Sequence, residues 1–202
     1  MAFFTVANLT IRNSDNLYLG TGSSYIVKST NPSTWTLSYY DLSLLYPLSL
    51  PIAGYYVVLA DNLYSASLNL FVAIGSQGSP ATGINSSEGY VYTSSDAVTW
   101  TKTTLSAFYS NNANASSNIS SIAFGNGLLM IGNSNQIQTS TDATTWTPYY
   151  NSTWLPTKIS YDTVNTKFVL VGTNGSVSTQ PTTFAGNPIS VVSTQTGYMR
   201  TY

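Results

Sequence analysis

Seven carboxylates are the main candidates for acid–base chemistry in this sequence: Asp15, Asp41, Asp61, Glu88, Asp96, Asp142 and Asp162. Histidine and cysteine are absent. That removes the commonest general base and metal ligand, the thiolate nucleophile, and every disulfide or thiolate metal centre. A serine nucleophile would have no imidazole partner. A glycosidase needs two carboxylates flanking the scissile bond, and nothing in the spacing of the seven announces such a pair. Asp61 and Asp162 fall where hairpin loops are expected, and Glu88 lies in a Gly/Ser-rich stretch. No glycine-rich phosphate loop precedes a helix, because no segment of ten or more residues has helical periodicity. The sequence therefore predicts no enzyme, no cofactor and no metal.

Two of the acids lie in a pattern that does recur. "TSSDAVTW" (Thr93–Trp100) returns 46 residues later as "TSTDATTW" (Thr139–Trp146). "KSTNPSTW" (Lys28–Trp35) and "VSTQPTTF" (Val177–Phe184) are weaker copies. An acid or amide at the fourth position (Asn31, Asp96, Asp142, Gln180) precedes an aromatic residue at the eighth (Trp35, Trp100, Trp146, Phe184). A short Asp or Asn side chain in a turn accepts bonds from backbone N–H groups two residues on, and Ser or Thr hydroxyls close the same turn. The following aromatic ring buries between sheets. The octet thus reads as a structural joint repeated once per unit. A Ca²⁺ site would need several converging oxygens, and one carboxylate per turn is too few.

Each octet follows an apolar run ending in glycine: Leu17–Gly20, Val72–Gly75, Met130–Gly132 and Val169–Gly172. Upstream of each lies a further alternating run, "FFTVANLTI", "IAGYYVVLA", "NISSIAFGNG" and "KISYDTVNTK". Asn126-Gly127 and Asn174-Gly175 suit two-residue hairpins, since both residue types tolerate positive φ. The expected fold is all-β: four blade-like repeats of antiparallel strands, over residues 1–46, 47–110, 111–154 and 155–202, forming a small β-propeller. A ring needs closure, commonly by pairing its two ends in one blade, so the tail "NPISVVSTQTGYMRTY" and the initial "FFTVANLTI" are expected to be tied down by that pairing or by a neighbouring subunit; the second architecture is an open stack completed by another chain.

The octet resembles the Asp-box turn of sialidase-like propellers. Ser94, Asp96, Thr99 and Trp100 match it, as do Ser140, Asp142, Thr145 and Trp146; Val98 and Thr144 stand in place of its glycine. The stretches "FGNGLLMIGNSNQIQTSTDATTW" and "KFVLVGTNGSVSTQPTTF" are similar to propeller repeats of phage tail and fibre proteins, a likeness running from Leu17 to Phe184. Sialidase activity is not carried over. It would require an arginine cluster and a Tyr–Glu couple, and the chain has only Arg12, Arg200 and Glu88.

Composition narrows the partners. Charged residues are 6% and the formal net charge is −1, far from the clustered basic residues that phosphate neutralisation demands. No nucleic acid is expected. Ser, Thr and Asn exceed a third of the residues, and a weakly charged surface associates readily. The initial residues lack the basic and apolar regions of a signal peptide. Leu42–Ala60 is long enough to span a bilayer, but Pro47 and Pro51 interrupt it and Ser43 and Ser49 dilute it; a strand, a loop and a strand are expected instead. Together with the resemblance, these features imply a non-enzymatic structural component of a bacteriophage virion, on the capsid surface or tail, contacting other virion proteins and copies of itself. The alternative is a lectin-like module binding host-surface glycans. For that role Trp154, in "YYNSTWLP", is the off-pattern aromatic in a proline-containing loop. The pairs Phe108-Tyr109 and Tyr149-Tyr150, like Tyr39-Tyr40, follow an octet and could face a ligand or pack between blades. The inserts Ser76–Gly89 and Thr104–Asn118 depart most from the repeat and should project as loops.

Overall fold

A computed structural model describes residues 6–22, 25–40, 56–78, 89–105, 119–133, 136–150, 154–174, 183–184 and 187–193. These residues form sixteen strands and no helix, arranged as four four-stranded sheets. The first sheet holds β1 (Asn8–Arg12), β2 (Leu17–Thr21), β3 (Tyr25–Asn31) and β4 (Thr34–Tyr40) in chain order. The second holds β5 (Tyr56–Ser65), β6 (Leu70–Gly78), β7 (Gly89–Ser94) and β8 (Thr101–Leu105). The third holds β9 (Ile119–Gly125), β10 (Leu128–Asn133), β11 (Gln136–Ser140) and β12 (Thr147–Tyr150). The fourth contains β13 (Trp154–Asp162), β14 (Lys167–Asn174), β15 (Thr183–Phe184) and β16 (Asn187–Ser193) in the order β13-β14-β16-β15.

The first three sheets are antiparallel meanders, as the repeat predicts. Their opening hairpins turn on residues with positive φ: Asn16, Asn69, and Asn126 with Gly127. Asparagine and glycine tolerate that region best. The corresponding turn of the fourth sheet uses Thr166 at φ 50°, where a β-branched residue is strained. The fourth sheet also departs from the expected pattern, because β16 pairs with β14 in parallel, Phe168 opposite Ile189. Among the described residues the tail strand β16 pairs with β14 and β15, and β1 with β2. Residues 1–5 and 194–202 of the expected closure lie outside the described residues.

The glycine-ended apolar runs fall in β2, β6, β10 and β14, the second strand of each sheet. Their alternate side chains feed two faces. Three apolar layers result. Leu17, Leu19 and Ile26 meet Phe71, Ala73 and Tyr92 between the first two sheets. Val72, Ile74 and Val91 meet Ile122, Leu129 and Ile131 between the second and third. Ala123, Leu128 and Met130 meet Ile159, Phe168 and Leu170 between the third and fourth. The opening strands β1, β5, β9 and β13 lie side by side in series. Among the described residues no comparable contact joins β13 to β1. Most of Leu42–Ala60 lies outside the described residues, its last part, from Tyr56, entering β5. Among the described residues no helix is long and apolar enough to cross a membrane.

Candidate functional site

The repeated turns are built from their own residues. Asp96 Oδ1 accepts hydrogen bonds from the N–H groups of Val98 and Thr99, both at 2.8 Å, and from the Ser94 hydroxyl at 2.9 Å. Asp142 Oδ1 does the same with Thr144 and Thr145, both at 2.7 Å, and with Ser140 at 3.0 Å. Backbone donors aimed at a carboxylate favour its charged form. Asp96 is held well below the usual carboxylate range by Thr99 first and then Val98, and Asp142 by Thr145 and then Thr144. In the first sheet Asn31 Oδ1 accepts from Ser33 N–H at 3.0 Å, a neutral and sparser version. Ala97 and Ala143 sit fully buried at φ 53° and 62°, which lets each turn fold back under its aromatic residue. Gln180 lies outside the described residues. Phe184 is placed in β15 opposite Asn187.

The tryptophans occupy corresponding places. Trp100 packs in the layer against the first sheet and Trp146 in the layer against the second. Each therefore faces the sheet that precedes its own. Trp146 Nε1 donates to the Ala143 carbonyl at 3.2 Å, and Trp35 Nε1 to the Pro32 carbonyl at 3.0 Å. Trp100 Nε1 donates instead to Ser38 Oγ of β4 at 3.1 Å, and that hydroxyl donates on to the Ala97 carbonyl. The neighbouring sheet thus inserts one hydroxyl into an otherwise identical joint. Tyr39 completes the contact, its ring 5.5 Å from Tyr92 and 6.1 Å from Trp100.

Asp61 corrects the sequence reading. It stands in β5, beside a register shift between Leu59 and Asp61, not in a hairpin loop. It is buried and joins three sheets. Its Oδ2 meets Lys158 Nζ of β13 at 2.6 Å, the Ser121 hydroxyl of β9 at 3.2 Å and the Ile122 N–H at 3.3 Å. Ser121 Oγ also accepts from Ile159 N–H at 3.0 Å. Next to it, Asn62 Nδ2 donates to Thr21 Oγ1 at 2.8 Å and to the Asn8 carbonyl at 3.2 Å, and Asn8 Nδ2 reaches the Ala60 carbonyl at 2.6 Å. A polar seam therefore laces the opening strands of all four sheets. No local motif signals it, because its partners lie 38 to 97 residues apart.

The remaining described acids are also engaged. Asp15 takes both the Nε and an Nη of Arg12, at 2.9 and 2.7 Å, which lowers its affinity for a proton. Asp162 accepts from Asn165 Nδ2 at 2.7 Å, and from the N–H groups of Val164 and Asn165. Its carboxyl is lowered chiefly by the Asn165 amide. Asp41 and Glu88 lie outside the described residues. Among the described residues no group of three or more acids could hold a metal ion.

Trp154 is a second correction. It opens β13 and pairs with Asn174, so it belongs to a sheet and not to a loop. A register shift between Pro156 and Lys158 absorbs the proline, which an edge strand tolerates. Tyr149 and Tyr150 lie in β12, opposite Ile137 and Gln136. Phe108, Tyr109 and most of both inserts lie outside the described residues.

The family model of the DUF6242 beta propeller domain matches residues 2–196. The chain belongs to the DUF6242 beta propeller domain family. None of the curated proteins matches this family member. Among solved structures it is similar to one from the GH130 family of mannoside phosphorylases, described as containing glycoside hydrolases that target beta-1,2 mannosidic linkages in Candida mannan. That likeness has 15% identity and a TM-score of 0.46, over 81% of this chain and 58% of the other. A second is PorZ, a surface component of the type-IX secretion system of Porphyromonas gingivalis, at 16% identity and TM-score 0.48, over 82% of this chain and 25% of that one. A third is a glycosyl hydrolase from Bacteroides ovatus, at 17% identity and TM-score 0.40, over 81% and 58%. This DUF6242 propeller spans well under two thirds of each of those chains.

Proposed function

We propose that this DUF6242 propeller is a non-enzymatic structural component of a bacteriophage virion, working through protein–protein contacts at the capsid surface or tail, and that its octets are Asp-box-like joints. One observation carries the non-catalytic part. Each described carboxylate is committed to a turn, an ion pair or the inter-sheet seam, so none is held ready to protonate a leaving group. The scarcity of charge supports a life in an assembly, and the likeness of the repeats to those of phage tail and fibre proteins supports the virion. The test combines particle composition with turnover. Peptides of this chain should co-sediment with gradient-purified particles in fixed proportion to the capsid protein, and the purified chain should release no reducing sugar from host polysaccharides. Absence from particles removes the virion role. Polysaccharide hydrolysis that is lost when a pair of carboxylates is changed to amides removes the non-enzymatic one. Retention on a glycan array, abolished by Trp154→Ala, would replace both with glycan attachment.

A further inference from the structure

The octet serine gives a common reference for comparing the sheets. Tyr18, Phe71 and Leu129 each pair directly opposite it, at Ser29, Ser94 and Ser140. In turn Ile11, Tyr64 and Phe124 pair opposite those three residues. By the same register Leu9 corresponds to Asn62 and Ile122. In the second and third sheets these positions face the preceding sheet. Tyr64 and Phe71 pack in the layer against the first sheet, and Ile122, Phe124 and Leu129 in the layer against the second. Trp100 and Trp146 face the same way.

In the first sheet the corresponding face has no preceding sheet among the described residues. Val6 reaches over Gly20 beside Val27, but Leu9 is 54% exposed, Leu37 52% and Ile11 41%. Trp35 and Tyr18 meet edge to face there, 6.4 Å apart. A face of this composition, in this register, is built to receive another sheet of the same kind. At the other end, the fourth sheet buries Phe168 and Leu170 towards the third. Its alternate residue Val169 points to the opposite face, where the next sheet of the series would lie.

We propose that the exposed apolar face of the first sheet receives the fourth sheet of a second copy, and reciprocally, closing a head-to-tail dimer. Propellers hold about four to eight sheets, and two copies of a four-sheet arc bring the ring to the upper end of that range. At the junctions within the chain, the second strand of one sheet lies beside the first strand of the next, as in β2 with β5, β6 with β9 and β10 with β13. The new junction therefore sets β14 of one copy beside β1 of the other, with Val169 near Leu9. This inference rests on the sheet geometry and deepens the assembly role proposed above. A monomer would overturn it and leave virion incorporation standing, whereas absence from particles would leave the dimer standing.

The absence of cysteine makes the test direct. Light scattering on the purified chain should give twice the 21.7 kDa of one copy, and Leu9→Lys with Ile11→Lys should return it to 21.7 kDa with an unchanged circular dichroism spectrum. Leu9→Cys and Val169→Cys chains, treated with a short bismaleimide, should cross-link when mixed and not when alone. A wild-type mass of 21.7 kDa at the highest soluble concentration overturns the proposal. So does a dimer that survives both lysines, or Leu9→Cys cross-linking to itself as readily as to Val169→Cys. Should the lysine variant fail to fold, the cross-linking comparison decides alone.

Discussion

Gly125 closes β9 where the third sheet meets the fourth, and the ring of Tyr161 lies directly over it. A Cβ added there would stand 2.0 Å from Tyr161 Cγ and 2.1 and 2.4 Å from its Cδ atoms, against an ordinary contact beginning at 3.4 Å. The ring would have to retreat by about 1.4 Å, the difference of 3.4 and 2.0. Tyr161 cannot simply swing away, because buried Phe168 packs edge-on against it at 4.9 Å. The obstructing atoms are the base of the ring, not a flexible tip. Overpacking of this kind costs about 1–3 kcal/mol, and this geometry belongs at the upper end. Replacing glycine returns about 0.5–1 kcal/mol by restricting the unfolded chain. Gly125→Ala should therefore lose about 2 kcal/mol net, or about 4–8 °C in Tm for a chain of this size. Urea unfolding followed by tryptophan fluorescence measures it. In a Tyr161→Ala background the added methyl has room, and the same substitution should become neutral or slightly stabilising, a coupling of about 2–3 kcal/mol. A cost below about 0.5 kcal/mol, or an equal cost in both backgrounds, would refute the argument that this glycine exists to admit the tyrosine ring.

Acid should weaken the repeated turns. The carboxyls of Asp96 and Asp142 sit below the ordinary 3.8 in the folded chain, so their contribution is complete above about pH 4 and is lost as the pH falls further. Asp96→Asn with Asp142→Asn should flatten the acid side of a stability–pH profile; an unchanged slope sinks this account. Among the tryptophans, Trp100→Ala and Trp146→Ala should each cost about 2–3 kcal/mol, short of the cost for full burial, and Trp35→Ala under about 1 kcal/mol in the isolated protomer; urea midpoints give the ranking. Asp61→Ala should cost about 2–3 kcal/mol, because it strands the buried Ile122 N–H. Lys158→Ala should cost less, about 1–2 kcal/mol, because it leaves the 9% exposed Asp61 carboxylate without its counter-charge but still bonded to Ser121 and Ile122; equal costs would show that the ion pair, and not the backbone bond, carries the seam. Thr166→Asn should raise stability by about 0.5–1 kcal/mol by relieving a left-handed threonine, and a lowered midpoint would contradict that assignment of strain.

What was legible in the sequence was what is local. The octets could be read because Asp96 and Asp142 bond to N–H groups two and three residues away, so the carboxylate's bonds in each turn lie within one short window. The Asn126-Gly127 hairpin was legible for the same reason, with both residues at positive φ. Asp61 was not legible. Its partner Lys158 is 97 residues distant, and it lies beside an irregularity that follows Leu59, which no alternation of residue types announces. Trp154 reads as a loop residue because it stands off the repeat pattern two positions before Pro156. An edge strand with a register shift accommodates that proline instead. The parallel pairing of β14 with β16 escaped the repeat pattern because that pattern describes each strand and its alternation, not the direction from which a neighbour arrives.

The Asp61 seam limits how this chain could have grown or could be recombined. A turn whose carboxylate bonds within its own eight residues travels intact when a repeat is duplicated or exchanged, save that Trp100 also takes the Ser38 hydroxyl of the first repeat. The carboxylate in the second repeat, however, meets a serine from the third and a lysine from the fourth. Excising the third repeat would bring a fourth-repeat strand against Asp61 without the hydroxyl that bridges them. Copying the second would bury an acid facing no lysine. The central repeats have thus diverged into parts with fixed places, and a library that shuffles them should yield soluble chains only where repeats two to four are inherited as a block.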